Sequence, residues 1–458
     1  MRLILGLDDF LLHTRRQEAA VAWDLAAVVN AHMLLVGKSG NGKTHTLRRL
    51  IGQMAVADPA PRIHIMDVHG DIGVDGASSV QFSESTGYGL NPLRISAHPH
   101  FGGTRRRIQD FVATVGAARA LGNKQEAVLR RLLNDLYAEH GFFPQDPASW
   151  SLEGGEARHP PKRHPTVEDA RRLAADKLRQ ITLGADGKAA RALDELNRKA
   201  AGLRRKLRLP GGSPGEGRHA FEEETAKLKE EAIAAYAAYV NAVESGAELD
   251  DHLQYGSKDV LKSVLDRLEN LAATGLFKSV HPPFDRDAAV WRYDIAALRE
   301  EEKRLFVEFR LQEIFAEALK RGPLPNGSEC LRHVLVLDEA HLFFRDDPDN
   351  ILDTVAKEGR KFGLALVCAS QSPTHFSDDF VSNCGTKIVL GIDPMFWDGA
   401  VRKMRIDLKT LKFIKPHAVM AVQMSLRGDA KSHFTMVRVS ESRPAAAASA
   451  RPGAEDAR

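Results

Sequence analysis

The octet Gly37-Lys38-Ser39-Gly40-Asn41-Gly42-Lys43-Thr44 constrains this chain more than any other stretch. It meets the pattern G-x-x-x-x-G-K-[ST] at every fixed position, and such a loop works between a buried strand and a helix. Both neighbours are legible. Met33-Leu34-Leu35-Val36 is a short apolar run ahead of the loop, and Thr46-Leu47-Arg48-Arg49-Leu50-Ile51 opens a helical pattern behind it. Glycines let the loop fold back so that backbone N–H groups face one concavity. There they cradle a phosphate chain at the positive end of the helix. Nucleotide contacts are therefore expected from Gly37, Lys38, Ser39, Gly40, Asn41, Gly42, Lys43, Thr44 and His45. Lys43 is placed to reach the β/γ-phosphates and the Thr44 hydroxyl to ligate Mg²⁺. ATP and Mg²⁺ are the expected ligands.

Composition removes several other classes. The content is 43% hydrophobic and 27% charged, and the formal net charge is only +3, so no global basic field advertises nucleic acid. Three cysteines, Cys330, Cys368 and Cys384, lack metal-ligand spacing and point to a reducing compartment rather than a disulfide scaffold. No apolar run approaches the roughly 20 residues that a membrane span needs. The opening Met1-Arg2-Leu3-Ile4-Leu5-Gly6 reaches Asp8 and Asp9 too soon for a signal peptide. A cytoplasmic protein without a membrane partner is expected.

A chain of 458 residues has room for two or three domains. Residues 1–104 read as the first segment of an α/β core, with a strand over Leu3–Leu7, a helix or linking segment, the strand entering the P-loop, and an apolar run Arg62–Asp67 that ends in a carboxylate. From 105 to 284 strand-like runs vanish and helical periodicity takes over, as in Val128, Leu129, Leu132, Leu133 and Leu136, or in Val260, Val264, Leu265, Leu268 and Leu271. Thr166-Val167-Glu168-Asp169 has the form of a capping box. Arg204, Arg205, Lys206 and Arg208 form a basic run before the Gly211–Gly215 break. Over 285–441 the α/β signal returns, with strands expected at 289–295, 333–337, 364–369, 386–390 and 417–424 and a helix bearing Val307, Leu311, Ile314 and Ala318. This alternation predicts a mostly parallel sheet covered on both faces. Residues 442–458 are Ala/Pro/Arg-rich and read as a disordered tail.

Val334-Leu335-Val336-Leu337-Asp338-Glu339 is a buried strand ending in two acids, the Walker B pattern. Asp338 is expected in the Mg²⁺ shell, and Glu339 is expected to orient or deprotonate the attacking water. Such a strand is common by itself; paired with the P-loop it signals hydrolysis rather than binding alone. Asp338-Glu339-Ala340-His341 spells the DEAH box of a helicase family. That family is set aside because Ala369-Ser370-Gln371 ends the next strand where its Ser-Ala-Thr motif would stand.

Further motifs follow in a fixed order: Asp67-Val68-His69-Gly70-Asp71, Asn91-Pro92-Leu93, Asp338-Glu339-Ala340-His341, Glu358-Gly359-Arg360-Lys361-Phe362-Gly363 and Ser370-Gln371-Ser372-Pro373. With the P-loop they resemble the HerA branch of the HerA/FtsK superfamily of hexameric P-loop translocases, which also holds type IV secretion and conjugation ATPases. The resemblance covers about 20–100 and 285–440. It implies a RecA-like P-loop NTPase core with an inserted all-helical domain, a homo-hexameric ring with ATP between subunits, and double-stranded DNA in the channel. It makes Arg360 an arginine finger, Gln371 a polar sensor of the γ-phosphate or water, and Asp71 an auxiliary acid. Proteins of this branch usually carry a β-barrel ahead of the P-loop, whereas here Lys43 comes early. The short start is similar to HerA-like ATPases encoded beside an effector, a nuclease or NAD-consuming enzyme in DNA processing or anti-phage defence. Two readings stand beside the DNA motor: a nucleotide-gated ring that assembles and activates an effector, and a conjugation or secretion ATPase.

Overall fold

The computed structural model describes residues 1–153, 161–183, 195–202, 217–242, 258–325, 330–345, 350–429 and 432–439, with single positions 192 and 255. The basic run at 204–208, the glycine-rich break at 211–215 and the tail at 442–458 lie outside the described residues. The chain divides into two compact units, one made of Met1–Phe82 with Pro283–Arg458, the other of Ser83–Pro282.

The first unit is built on an 11-stranded sheet in the order β2-β1-β11-β10-β9-β3-β8-β7-β4-β6-β5. In chain order the strands are β1 Arg2–Asp8, β2 Ala20–Asp24, β3 Met33–Val36, β4 Arg62–Asp67, β5 Ser78–Gln81, β6 Val290–Asp294, β7 His333–Leu337, β8 Leu364–Ser370, β9 Thr386–Val389, β10 Val419–Met424 and β11 Phe434–Arg438. From β9 to β5 every pairing is parallel, and from β9 outward through β10, β11, β1 and β2 every pairing is antiparallel. The central strands are near-continuous Val/Ile/Leu runs because both faces of a parallel sheet are covered. On one face Ile63, Ile65, Val334, Val336, Met33 and Leu35 join a core with Leu47, Leu50, Ile51 and Met54 of the helix Lys43–Ala55. Those four side chains follow i, i+3, i+4, i+7, so one stripe of the helix meets the sheet. The opposite face carries His64 and Tyr293 and receives the helix Glu300–Lys320, whose Phe306 ring lies 6.1 Å from that of Tyr293. Val307, Leu311, Ile314 and Ala318 of that helix are buried, as their spacing predicts.

β2, β5 and β11 show no strand pattern in the sequence, for a physical reason. Each buries a single residue, whereas β3, β7 and β8 bury every one. β2 and β5 are the sheet's two edges, and a strand with one buried residue leaves little hydrophobic signature.

In the second unit the long described elements are helices: Thr104–Ala118, Asn123–Glu139, Val167–Leu183, Gly217–Ala242 and Lys258–Ala273. Leu129, Leu132, Leu133 and Leu136 are buried, and so are Val264, Leu265, Leu268 and Leu271. The capping box is formed reciprocally. Thr166 Oγ1 accepts from the Asp169 N–H at 3.2 Å and Asp169 Oδ2 accepts from the Thr166 N–H at 2.9 Å. Burial opposes the Asp169 charge, but bonds from Arg163 and Thr166 outweigh it and hold the carboxyl far below its ordinary range.

Candidate functional site

The site lies at the C-terminal ends of β3, β7 and β8, where an open α/β sheet binds its ligands. β3 delivers the P-loop. The Gly37 N–H donates to the Ser370 carbonyl at 3.0 Å and the Lys38 N–H to the Gly391 carbonyl at 2.8 Å, which ties the loop to the ends of β8 and β9. Asn41 Nδ2 adds a bond to the same Gly391 carbonyl at 3.0 Å, and Lys38 Nζ pairs with Asp393 at 2.9 Å. Gly40 and Gly42 hold φ of 80° and 88°, the left-handed region where a side chain is strained. A Cβ on Gly42 would also approach His417 Nδ1 to 3.4 Å.

The helix that follows starts without a capping side chain and without an acid in its first turn. Its first intrahelical bond runs from the Thr46 N–H to the Gly42 carbonyl, so helix geometry provides no acceptor for the N–H groups of Lys43, Thr44 and His45. A helix start with open donors, no anion of its own and a buried lysine beside it fits a phosphate chain. The residues present fit ATP and Mg²⁺.

Lys43 is buried, and its Nζ lies 3.7 Å from Glu339 Oε1. Asp338 and Glu339 are both buried at the end of β7, and the Glu339 N–H donates to Asp338 Oδ1 at 3.0 Å. Glu339 sits in the left-handed region at φ 46°, a conformation a non-glycine residue holds only where its surroundings impose it. Burial, then the neighbouring Glu339 charge, pushes the Asp338 carboxyl up to about 6. Burial also opposes the charge of Glu339, but His341, Lys43 and Gln371 outweigh it and hold that carboxyl below its ordinary value. Two adjacent acids are thus driven apart, one toward sharing a proton or a cation, the other kept as a carboxylate. Gln371, just past β8, is among the groups that act on Glu339, so the structure brings Lys43, Asp338, Glu339 and Gln371 together.

The sequence shows His341 only as a letter of the Asp-Glu-Ala-His string, without a role. Its Nδ1 lies 3.2 Å from Glu339 Oε2, an ion-pair distance when the imidazole is protonated, yet the two atoms are not aligned as a hydrogen bond. The His375 ring stands 4.9 Å from that of His341, and His375 Nδ1 is 3.0 Å from Ser370 Oγ. Nothing in the spacing of 341 and 375 announces this pair, because only the adjacency of β7 and β8 creates it.

Asp67, at the end of β4, has a different task. It is fully buried, accepts the N–H groups of Gly70 at 2.8 Å and Ile72 at 2.9 Å, and pairs with Arg292 at 2.7 Å. It fixes the turn that carries Asp71, whose charge adds to the rise at Asp338. Arg360 is not with these groups. It is exposed, and it lines a pocket with Asn30, Ala31, Leu331 and Leu364, residues at or just before the starts of β3, β7 and β8. It therefore lies at the opposite end of the strands from the P-loop.

A mostly parallel sheet with a phosphate loop after one central strand and paired acids after another is the RecA-like P-loop NTPase fold. The family model "Helicase HerA, central domain" matches residues 12–182. The DNA double-strand break repair helicase HerA of Pyrococcus furiosus is 38% identical over 63 residues, 13% of this chain and 11% of that protein. The probable counterpart of Methanocaldococcus jannaschii is 40% identical over 63 residues, 13% of this chain and 12% of that protein. The structure of VirB4 of Thermoanaerobacter pseudethanolicus superposes with a TM-score of 0.56 at 16% identity, covering 96% of each chain, and supports the fold. The chain is thus similar to the HerA central domain over part of its length and has the fold of a P-loop ATPase. It spans about a tenth of the length of the curated relatives it matches. Among the described residues no helix is long and apolar enough to cross a membrane.

Proposed function

We propose that this protein hydrolyses ATP at the P-loop as a subunit of a homo-hexameric ring, and that the ring uses the energy to move double-stranded DNA. The observation that carries the reading is the placement of Arg360. Lys43, Asp338, Glu339 and Gln371 gather at one end of the sheet, and the arginine finger expected from the sequence sits at the other end of the strands. In this reading a second copy brings Arg360 to the nucleotide and completes the site between subunits.

In this reading the loop N–H groups and Lys43 hold the phosphates, and Thr44 with Asp338 holds Mg²⁺. The metal supplies positive charge to the phosphate oxygens. Glu339 keeps its carboxylate and orients the attacking water by accepting its proton. Gln371, beside Glu339, reports whether that water and the terminal phosphate are in place. The second copy's arginine finger neutralises charge that builds during transfer, which in related phosphoryl-transfer systems is worth about 10³–10⁵ in rate. A separately encoded nuclease or NAD-consuming enzyme completes the machine.

The deciding experiment is mass in solution with and without ATP and Mg²⁺, alongside the ATPase rate with and without duplex DNA. A ring whose hydrolysis rises with DNA is expected. The near-neutral net charge of +3 favours a second reading, a nucleotide-gated ring that activates an effector, and a ring indifferent to DNA would select it.

A further inference from the structure

A broad pocket of about 1080 Å³ opens among the elements that follow β8, away from the P-loop residues. Its lining includes Lys387 of β9, Arg402 and Lys403 of the helix Trp397–Met404, Arg405 at that helix's end, Gln423 of β10 and Asp378. Four of these are lysine or arginine, and Asp378 is the one carboxylate among the described lining residues. That acid is already engaged, 3.1 Å from Lys403 Nζ, and its side chain is 87% exposed. Among the described residues the other three cations have no carboxylate within the pocket.

Lys387 is held by its surroundings, and Arg402 and Arg405 are exposed beside it. Lys387 is half-buried, and its Nζ bonds the neutral Gln423 Oε1 at 3.2 Å, while Gln423 Nε2 donates to the Ser432 carbonyl at 3.0 Å. Arg405 closes the helix in the left-handed conformation at φ 55°, its N–H bonded to the Val401 carbonyl, so its backbone direction is set. Arg402 Nε reaches the Asp398 carbonyl at 3.4 Å. Burial weakens the charge on Lys387 and the nearby Arg405 opposes it further. Two neighbouring cations without an anion between them are destabilising unless something negative fills the gap. The volume far exceeds one phosphate and suits several in a chain.

We infer that this pocket is a second anion site, which takes the phosphate groups of a polyphosphate or phosphodiester chain on Lys387, Arg402 and Arg405. A phosphate has oxygens enough to accept from an arginine fork and a lysine together. The inference stands on this cluster alone and does not depend on hydrolysis at the P-loop.

The test uses the full chain carrying Lys43→Ala, so that the P-loop does not compete, and compares it with the same chain carrying Lys387→Met and Arg405→Asn. Binding of tripolyphosphate is read by calorimetry and of a fluorescein-labelled duplex by anisotropy. At least a tenfold loss on one or both ligands is expected, with ATP affinity unchanged when the two substitutions are placed in the otherwise intact chain. Loss on the duplex, with a shallower dependence of its binding on salt, identifies a nucleic-acid backbone as the ligand. Loss on tripolyphosphate alone identifies a free polyphosphate. Unchanged binding of both overturns the inference. Should the double variant fail to fold, the exposed Arg402→Gln change replaces it with an expected loss of about threefold, and no loss again overturns the inference.

Discussion

At the scale of single residues, the site depends on how burial sorts the ionisable groups. Asp338 and Glu339 are neighbours in sequence and in space, but Lys43, His341 and Gln371 keep one a carboxylate while burial raises the other. Glu339→Gln keeps the shape and removes the base. Hydrolysis is expected to fall about 10²–10⁴-fold with nucleotide affinity retained, and measured turnover beside equilibrium nucleotide binding checks both halves. His32 gives a pH effect of known sign. Its Nδ1 accepts the Leu366 N–H at 3.0 Å, and burial, then the charge of Arg360, brings its pKa down to about 4. A histidine depressed in the fold contributes stability above its unfolded pKa of about 6.5 and loses it as pH falls toward the folded value. Melting curves should show stability declining between pH 6.5 and 4. The His32→Gln chain should lose up to about 3 kcal/mol less over that interval.

At the scale of elements, legibility follows burial. The stretches Met33–Val36, Arg62–Asp67 and His333–Leu337 are strands with the bounds their apolar runs suggest, since a strand covered on both faces is mostly apolar. The capping box at Thr166 and Asp169 is legible because it is a purely local bond pattern. β5 and β11 are not, because each buries a single residue and so carries little apolar signature. The helix Lys258–Ala273 carries no such ambiguity, because its Leu261, Val264, Leu265, Leu268 and Leu271 form one buried stripe. Leu268→Ala there should cost about 2–5 kcal/mol. Denaturant melts of the 83–282 unit would register it, while ATP affinity at the P-loop should be unmoved.

At the scale of the whole molecule, the proposed ring divides one reaction centre between the two ends of the parallel strands. Lys43→Ala and Arg360→Ala should each abolish most hydrolysis, by at least about 10³-fold for the arginine. Because the lost groups belong to opposite ends of a subunit, mixing the two inactive proteins should restore part of the rate, through interfaces that join an intact P-loop to an intact Arg360. Titrating one variant into the other reads this directly. No recovery at any ratio would place Arg360 outside the reaction.

The sequence by itself determined the P-loop, the acids at the end of β7 and the central strands. Each is a local pattern whose chemistry requires those residue types at those spacings. Tertiary structure alone decided that Gln371 and His341 meet at Glu339, that Asp67 is a structural anchor held by Arg292, and that Arg360 lies away from its own P-loop. Strand order is the reason. Placing β8 between β3 and β7 brings residues 37, 338 and 371 to one edge, and no local pattern encodes which strands become neighbours.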